Sequence, residues 1–182
     1  DGSPFLFVKE RDLAGNWSPS GYHTILIDTQ PPSAPIIQAP SLTRSARPVF
    51  TWSGSQGGVG QFRFGFDLSK LDVNPATNQT SYTPTTALED GIHNFYVQER
   101  DEAGNWSSPA VAEVVVDRVA PGQPIVSGPS LTNSKRPLWS WGTGGDGAGA
   151  YLVRLDFNTE FQSNLTTFQP SLDLSDGAHT LY

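Results

Sequence analysis

Two acidic side chains, Glu99 and Asp101, have the spacing that most clearly suggests chemistry in this sequence. They lie two residues apart, so they share one face of a β-strand. Because Phe95 and Val97 alternate into the same face, both carboxylates should point inward, where an unpaired charge is costly. Three kinds of partner could balance them: a basic side chain such as Arg100, backbone N–H groups of a turn, or a bound cation.

The two acids belong to a phrase of eleven residues that the chain contains twice. Residues 8–18 return as residues 97–107, displaced by 89 positions, with nine of the eleven residues identical. The repeat continues into proline-bearing junctions at residues 28–32 and 117–121. A period of this length suits a module that closes its own core, so we predict a string of domains rather than a solenoid.

Composition and alternation indicate an all-β chain. The 182 residues include 18 Gly and 15 Pro, which is too many for helices of ordinary length. Apolar residues alternate with a period of two, most strictly at Phe62, Phe64 and Phe66. Roughly seven short strands separated by turn signals are typical of an immunoglobulin-like (Ig-like) sandwich. We therefore predict tandem Ig-like seven-strand β-sandwiches.

The junctions divide these sandwiches into one complete domain and two incomplete ones. With the strands lettered A to G, residues 1–30 supply strands F and G of a preceding repeat. Residues 31–118 form the complete repeat. Residues 119–182 supply strands A to E and the start of F of a following repeat, so we expect the chain to be an internal piece of something longer.

Topology should gather further acids at the junctions. The F–G and B–C loops lie at the end of the sandwich where the chain enters, and the E–F loop and the end of strand G lie where it leaves. The first junction would unite Asp1, Asp28, Glu99 and Asp101, and the second would unite Asp90, Asp117 and Asp146. Carboxylates with loop carbonyls suit Ca²⁺, which takes about six to eight oxygen ligands. We predict calcium there, with purely hydrogen-bonded acids as the alternative.

The Ala-Gly-Asn segment inside the phrase should form the F–G turn. A tight hairpin requires positive φ angles, and Gly and Asn accept them most readily. We therefore expect Gly15, Asn16, Gly104 and Asn105 to shape the turn and to need no other function.

The tryptophans divide into two groups. Trp52 and Trp141, on strand B, are predicted to fill sandwich cores. Trp17 and Trp106 begin the G strands close to a loop and are the candidates for exposed rings, on which sugars can stack.

Charge and composition exclude several functions. A formal net charge of -7, with 11 Lys+Arg spread along the chain, argues against nucleic-acid or anionic-membrane partners. No apolar run approaches a membrane span, so we expect no membrane insertion. No catalytic triad, paired-acid or cofactor motif occurs in a suitable context, so we predict that the chain is not an enzyme.

The segment from Asp90 to Ser107, followed by Val-Val-Asp and an Ala-Pro junction, resembles the bacterial Ig-like repeats of very large surface proteins and adhesins. The resemblance covers essentially the whole chain. It implies Ig-like sandwiches at a bacterial cell surface, and it implies calcium held by acids around the domain junctions. The sequence departs from the family pattern where the basic Arg118 follows Asp117.

Together these features predict a non-enzymatic extracellular structural or adhesive repeat array, such as a stalk, fibre or adhesin spacer, with calcium stiffening its junctions. Its partners would be neighbouring repeats of the same polypeptide, laterally associated copies, or a cell-surface or glycan ligand. The alternative is a carbohydrate-binding accessory module of a secreted polysaccharide-active enzyme, with sugar stacked on Trp17 or Trp106.

Overall fold

The computed structural model describes residues 5–182, and apart from one short 3₁₀ helix its regular elements are β-strands. This confirms the predicted all-β fold class. The chain divides into two compact units, Asp1–Arg118 and Val119–Tyr182. The finer division at residue 30, and the assignment of whole and partial domains, stay predictions.

The first unit begins with a β-hairpin. Strand β1 (Phe5–Val8) pairs antiparallel with β2 (Gly21–Thr24), and Phe5 lies opposite Thr24. The first copy of the repeated phrase connects these strands. Both strands are exposed along their whole length.

Seven strands in two sheets follow in the first unit. They are β3 (Ile36–Gln38), β4 (Leu42–Thr43), β5 (Phe50–Ser53), β6 (Gln61–Gly65), β7 (Ser81–Tyr82), β8 (Gly91–Arg100) and β9 (Ala110–Val116). One sheet has the order β3-β5-β7 and the other β4-β9-β8-β6. The β4–β9 pair is parallel and the others are antiparallel. The 3₁₀ helix, Leu68–Val73, lies in the crossover between the sheets. We call these seven strands, with their loops, the central module.

Aromatic side chains from both sheets fill the core of the central module. Phe50 and Phe95 stack with their ring centroids 4.2 Å apart, and Trp52 lies 4.8 Å from Phe64. Trp52 is buried, which confirms its predicted core position. Burying one such large apolar side chain stabilises the fold by roughly 1.5–3 kcal/mol.

Two details of the central module differ from the alternation pattern. The pattern indicates a strand from Tyr82 to Leu88, but β7 ends at Tyr82. Pro84, which is buried, has no N–H group to donate to a sheet ladder. Strand β4 is not predicted by the pattern, because two residues are too few to show a period.

The second unit contains β10 (Ile125–Ser127), β11 (Trp139–Gly142), β12 (Tyr151–Val153), β13 (Phe161–Ser163) and β14 (Thr167–Phe168). Its sheets have the orders β10-β11-β14 and β12-β13. Trp141 is buried, as predicted. An isolated bridge joins Leu155 to Leu181.

A charged hydrogen bond holds the last residues of the second unit. His179 Nδ1 lies 2.7 Å from Asp156 Oδ2, and its Nε2 lies 2.9 Å from the carbonyl oxygen of Ser175. Both ring nitrogens therefore face acceptors, which favours the doubly protonated ring. The hydrogen bond to Asp156, with that to Ser175, raises the pKa of His179, and the same contact lowers the pKa of Asp156.

This geometry predicts that alkaline pH loosens residues 175–182. The contribution of His179 should be complete below its unfolded pKa of 6.5 and should be lost as pH rises through its higher folded pKa. Amide hydrogen exchange measured between about pH 5 and pH 9, corrected for intrinsic rates, should show this loss of protection. A His179→Gln variant should lose the pH dependence, and an unchanged dependence in that variant would contradict the prediction.

Candidate functional site

Glu99 is the buried acid around which one end of the central module is built. Strand β8 places Phe95, Val97 and Glu99 on its inward face, as predicted, and Glu99 is only 1% exposed. Its Oε2 accepts a hydrogen bond from the backbone N–H of Ser55 at 2.7 Å, and its Oε1 accepts one from Gly60 N–H at 2.9 Å. The Ser55 hydroxyl lies 2.7 Å from Oε2 and 2.5 Å from the Ser33 carbonyl, and its one hydrogen is shared between these acceptors.

The B–C loop, residues 54–60, wraps closely around this carboxylate. A Cβ atom built on Gly58 would lie 2.0 Å from Cδ of Glu99, and one on Gly54 would lie 3.1 Å from its Oε1. A side chain at position 58 would therefore displace the Glu99 carboxylate from its donors. Val59 N–H also donates to the carbonyl of Arg100 at 3.1 Å, so the loop is bonded to the backbone of strand β8 as well as to the acid.

Asp101, two residues further on, organises the F–G turn. Its Oδ1 accepts hydrogen bonds from the N–H groups of Gly104 at 2.7 Å and Asn105 at 2.8 Å. Its Oδ2 accepts one from the Asn105 side-chain amide at 2.9 Å. The Asn105 side-chain bond and these backbone bonds lower the pKa of Asp101, because all of them favour the carboxylate.

The first hairpin contains the same turn. Asn16 donates to Asp12 from its backbone N–H at 2.7 Å and from its side-chain amide at 2.9 Å, and these bonds lower the pKa of Asp12. Since Asp12 belongs to a hairpin without a covering B–C loop among the described residues, the turn is a local property of the phrase.

The positive φ angles predicted for the turn are confirmed at its glycines and wrong at its asparagines. Gly15 and Gly104 have φ angles of 97° and 99°. Asn16 and Asn105 are not among the described non-glycine residues with positive φ. Their side chains are instead required to bond the aspartate of the same turn, so they act through side-chain chemistry rather than backbone freedom.

The linker before the central module contacts both loops. The Asn105 side-chain amide donates to the carbonyl oxygen of Asp28 at 3.1 Å. Ser33 N–H donates to the carbonyl of Gln56 at 3.2 Å, and Pro32 is buried beside Gly57. These contacts agree with the predicted placement of the F–G and B–C loops at the end where the chain enters.

The acids predicted for the first calcium site divide between several roles. Asp1 lies outside the described residues. The carboxylate of Asp28 accepts a hydrogen bond from Gln30 N–H at 2.9 Å. Glu99 and Asp101 have protein donors on both carboxylate oxygens, which is the hydrogen-bonded alternative, and no ion pair within residues 5–182 involves either one or Arg100.

The acids predicted for the second site lie in different units. Asp90 binds Arg118 at 2.6 Å, and this pair lies where strand β9 ends. The backbone N–H of Asp117 donates to Thr43 at 2.9 Å. Asp146 belongs to the second unit and has a φ of 56°.

Residues 5–182 contain no group of three or more His, Cys, Asp or Glu side chains arranged to hold a metal ion. Calcium at the junctions stays a prediction. The donors around Glu99 and Asp101 come from this chain itself.

The two candidate tryptophans have different surroundings. Trp17 is 62% exposed. Trp106 is half-buried, and the Arg63 guanidinium carbon lies 4.3 Å from the centre of its ring. Arg63 is held there by a hydrogen bond from its Nε to Gln98 at 2.9 Å. A sugar could reach one face of Trp106 only by displacing this cation–π contact.

Sequence reasoning missed the loop residues that bind Glu99. Ser55 and Gly60 donate hydrogen bonds to Glu99 and lie 44 and 39 positions before it in the chain. Gly58, which leaves room for the carboxylate, lies between them. A signal was present: a run rich in Gly and Ser precedes strand β6, and a buried acid needs N–H donors that small residues leave accessible.

Two comparisons with known proteins bear on this architecture. The sequence profile of the family described as "Bacterial Ig-like domain" matches residues 36–118. The chain is also similar to exoglucanase B of Cellulomonas fimi, with 31% identity over 165 residues. That match covers 80% of this chain but only 15% of the length of the relative. Within the described residues, no helix is long and apolar enough to span a membrane.

The burial of Glu99 predicts a large difference between two equivalent substitutions. Glu99→Ala leaves the N–H groups of Ser55 and Gly60 without an acceptor and should destabilise the central module by about 3 kcal/mol. Glu10→Ala, at the same position of the first phrase, removes an exposed side chain and should change stability by less than about 0.5 kcal/mol. Urea unfolding followed by tryptophan fluorescence measures both, and equal effects would contradict the role assigned to Glu99.

The lowered pKa of Asp101 predicts a stabilisation that acid removes. The contribution should be present above the unfolded pKa of 3.8 and should be lost as pH falls through the lower folded pKa. Asp101→Asn should therefore lower the melting temperature at neutral pH, and the gap from the unsubstituted chain should close towards about pH 2. A gap that stays constant across this range would count against the prediction.

Proposed function

We propose that this chain, whose residues 36–118 match the bacterial Ig-like domain family, is a non-catalytic spacer segment of a longer secreted or surface-exposed bacterial protein. Its modules would hold other parts of that protein at a distance and in a set direction. Neighbouring repeats of the same polypeptide would be its principal partners.

The commitment of the buried acids to the fold carries this proposal. Glu99 and Asp101 are the buried acids of residues 5–182. A glycoside hydrolase needs two carboxylates that flank a bound substrate, and a general acid or base must reach the reacting atoms. Here the B–C loop covers the carboxylate of Glu99, and the F–G turn covers that of Asp101. These carboxylates accept hydrogen bonds that stabilise the loops at one end of the module.

The attachment of the linker to that end supports the spacer role. Proline-rich connectors are only semi-rigid by themselves. In this chain Asn105 bonds Asp28, and Ser33 bonds the B–C loop. A connector that is bonded to the module it precedes transmits direction better than a free one.

The second candidate is an accessory module in a secreted glucan-degrading enzyme. The similarity to exoglucanase B favours this setting, because the matched part is a small fraction of that protein. Such a module would separate a catalytic domain from other domains without binding sugar. Sugar stacking is weakly supported, since Arg63 already covers Trp106 and the Arg11 guanidinium carbon lies 5.8 Å from the centre of the Trp17 ring.

The spacer proposal predicts that the purified chain neither hydrolyses nor binds glucans. Incubation with cellulose and soluble β-glucans should release no reducing sugar, and affinity electrophoresis in the same glucans should show no retardation. Saturable retardation that is lost in Trp17→Ala, with Leu13→Ala as the exposed control in the same loop, would replace the spacer role with sugar binding. Hydrolysis by the chain would overturn the non-catalytic assignment.

A further inference from the structure

We propose that the F–G turn of the central module is a docking site for the main chain of the preceding repeat. A clamped asparagine, Asn105, would fix the direction in which the chain enters the module, and no metal ion would be needed. The inference rests on the proposed spacer role and names the partner of the site already described.

The Asn105 side chain is placed to serve two acceptors. Its amide nitrogen has two hydrogens. One is directed to Asp101 Oδ2 at 2.9 Å and the other to the carbonyl oxygen of Asp28 at 3.1 Å. The two partners are 73 positions apart in the chain, so this one side chain joins a local turn to a segment of the previous repeat.

Asp101 holds the amide in position before the linker arrives. Its other oxygen accepts the backbone N–H groups of Gly104 and Asn105, so the carboxylate is fixed by three donors of the turn. An amide that is already oriented loses little conformational entropy when it binds. The turn therefore offers a rigid donor to whichever carbonyl group reaches it.

A second attachment stops the linker from pivoting about Asn105. Ser33 bonds Gln56 through its N–H, and its carbonyl lies 2.5 Å from the Ser55 hydroxyl. The same hydroxyl contacts Glu99. The linker is thus bonded at residues 28 and 33, and the proline-bearing stretch between them has both ends fixed.

The donors at this docking site do what a junction cation would otherwise do. A cation at the junction would bind carboxylates from two repeats. Here the Asn105 amide instead links the Asp101 carboxylate of the central module to the main-chain carbonyl of Asp28, and the B–C loop bonds the main chain of Ser33. The carboxylate oxygens of Glu99 and Asp101 already accept protein hydrogen bonds. A metal at this end would have to share those oxygens with the donors already bound to them.

The first hairpin provides a matched control. Asn16 is clamped by Asp12 with bonds of 2.7 and 2.9 Å, as Asn105 is by Asp101. Within the described residues, its side chain bonds Asp12 and no linker carbonyl. Substituting Asn16 therefore removes only its side-chain bond to the aspartate of its own turn. Substituting Asn105 removes both the equivalent bond to Asp101 and the bond to the Asp28 carbonyl.

The test measures the orientation of the first hairpin relative to the central module. The chain has no cysteine, so Thr24→Cys and Glu113→Cys, both at exposed positions, allow two spin labels to be attached to the full chain. Pulsed electron spin resonance then gives the distribution of distances between them. We expect a narrow distribution for the unsubstituted chain and for Asn16→Ala, and loss of that narrow distribution for Asn105→Ala.

Two further measurements make each outcome decisive. Thermal unfolding shows whether Asn105→Ala remains folded. If Asn105→Ala is unfolded, the measurement uses Asn105→Ser, which keeps a short donor for Asp101 but cannot reach the linker. All distances are recorded in EDTA and in millimolar CaCl₂. An unchanged distribution in the folded Asn105 variant, or a distribution that narrows only with calcium, would overturn the proposal. The glucan experiments test the spacer role separately, so the two can fail independently.

Discussion

The central module depends on burying one carboxylate near the end of strand β8. Glu99 occupies a position that alternation reserves for an apolar side chain, and its charge has to be met by donors inside the protein. The B–C loop meets it with backbone N–H groups, and this requires the loop to close over the acid with no side chain at Gly58. The closed loop is in turn the surface to which Ser33 bonds. Loop shape, glycine placement and the attachment of Ser33 therefore follow from one buried carboxyl group.

The two copies of the phrase separate what is local from what is not. In both, an aspartate and an asparagine four residues later form the same turn with nearly the same distances. The preceding glutamate is buried in one copy and exposed in the other, because only the central module supplies a covering loop among the described residues. The turn is thus encoded within eleven residues, whereas the function of the glutamate depends on a whole sandwich around it.

This division also explains what could be predicted from the sequence. Alternation located β6, and it placed Glu99 on the inner face of β8, because side-chain direction in a strand depends only on position. Asp101 was expected on the same strand face, but β8 ends at Arg100 and the Asp101 carboxylate bonds the turn instead. The core position of Trp52 followed in the same way. The early end of β7 at Tyr82 and the parallel strand β4 did not, since they depend on Pro84 and on pairing with a distant strand. The donors to Glu99 were missed for the same reason, as Ser55 lies 44 positions away. The side-chain role of Asn105 was mistaken for backbone freedom, because both favour the same residue.

The distance in sequence between Ser55 and Glu99 has a consequence for how the module is made. During synthesis the B–C loop leaves the ribosome long before strand β8, so the N–H groups of Ser55 and Gly60 lack their Glu99 acceptor until 44 and 39 further residues, respectively, have emerged. Contacts of such wide sequence separation form late, because the entropy of closing the intervening loop must be lost first. The strands before β8 therefore remain incompletely ordered until the β8–β9 hairpin has been synthesised. A pause in translation within that hairpin would lengthen the life of an open, aggregation-prone sheet, and one after it would not.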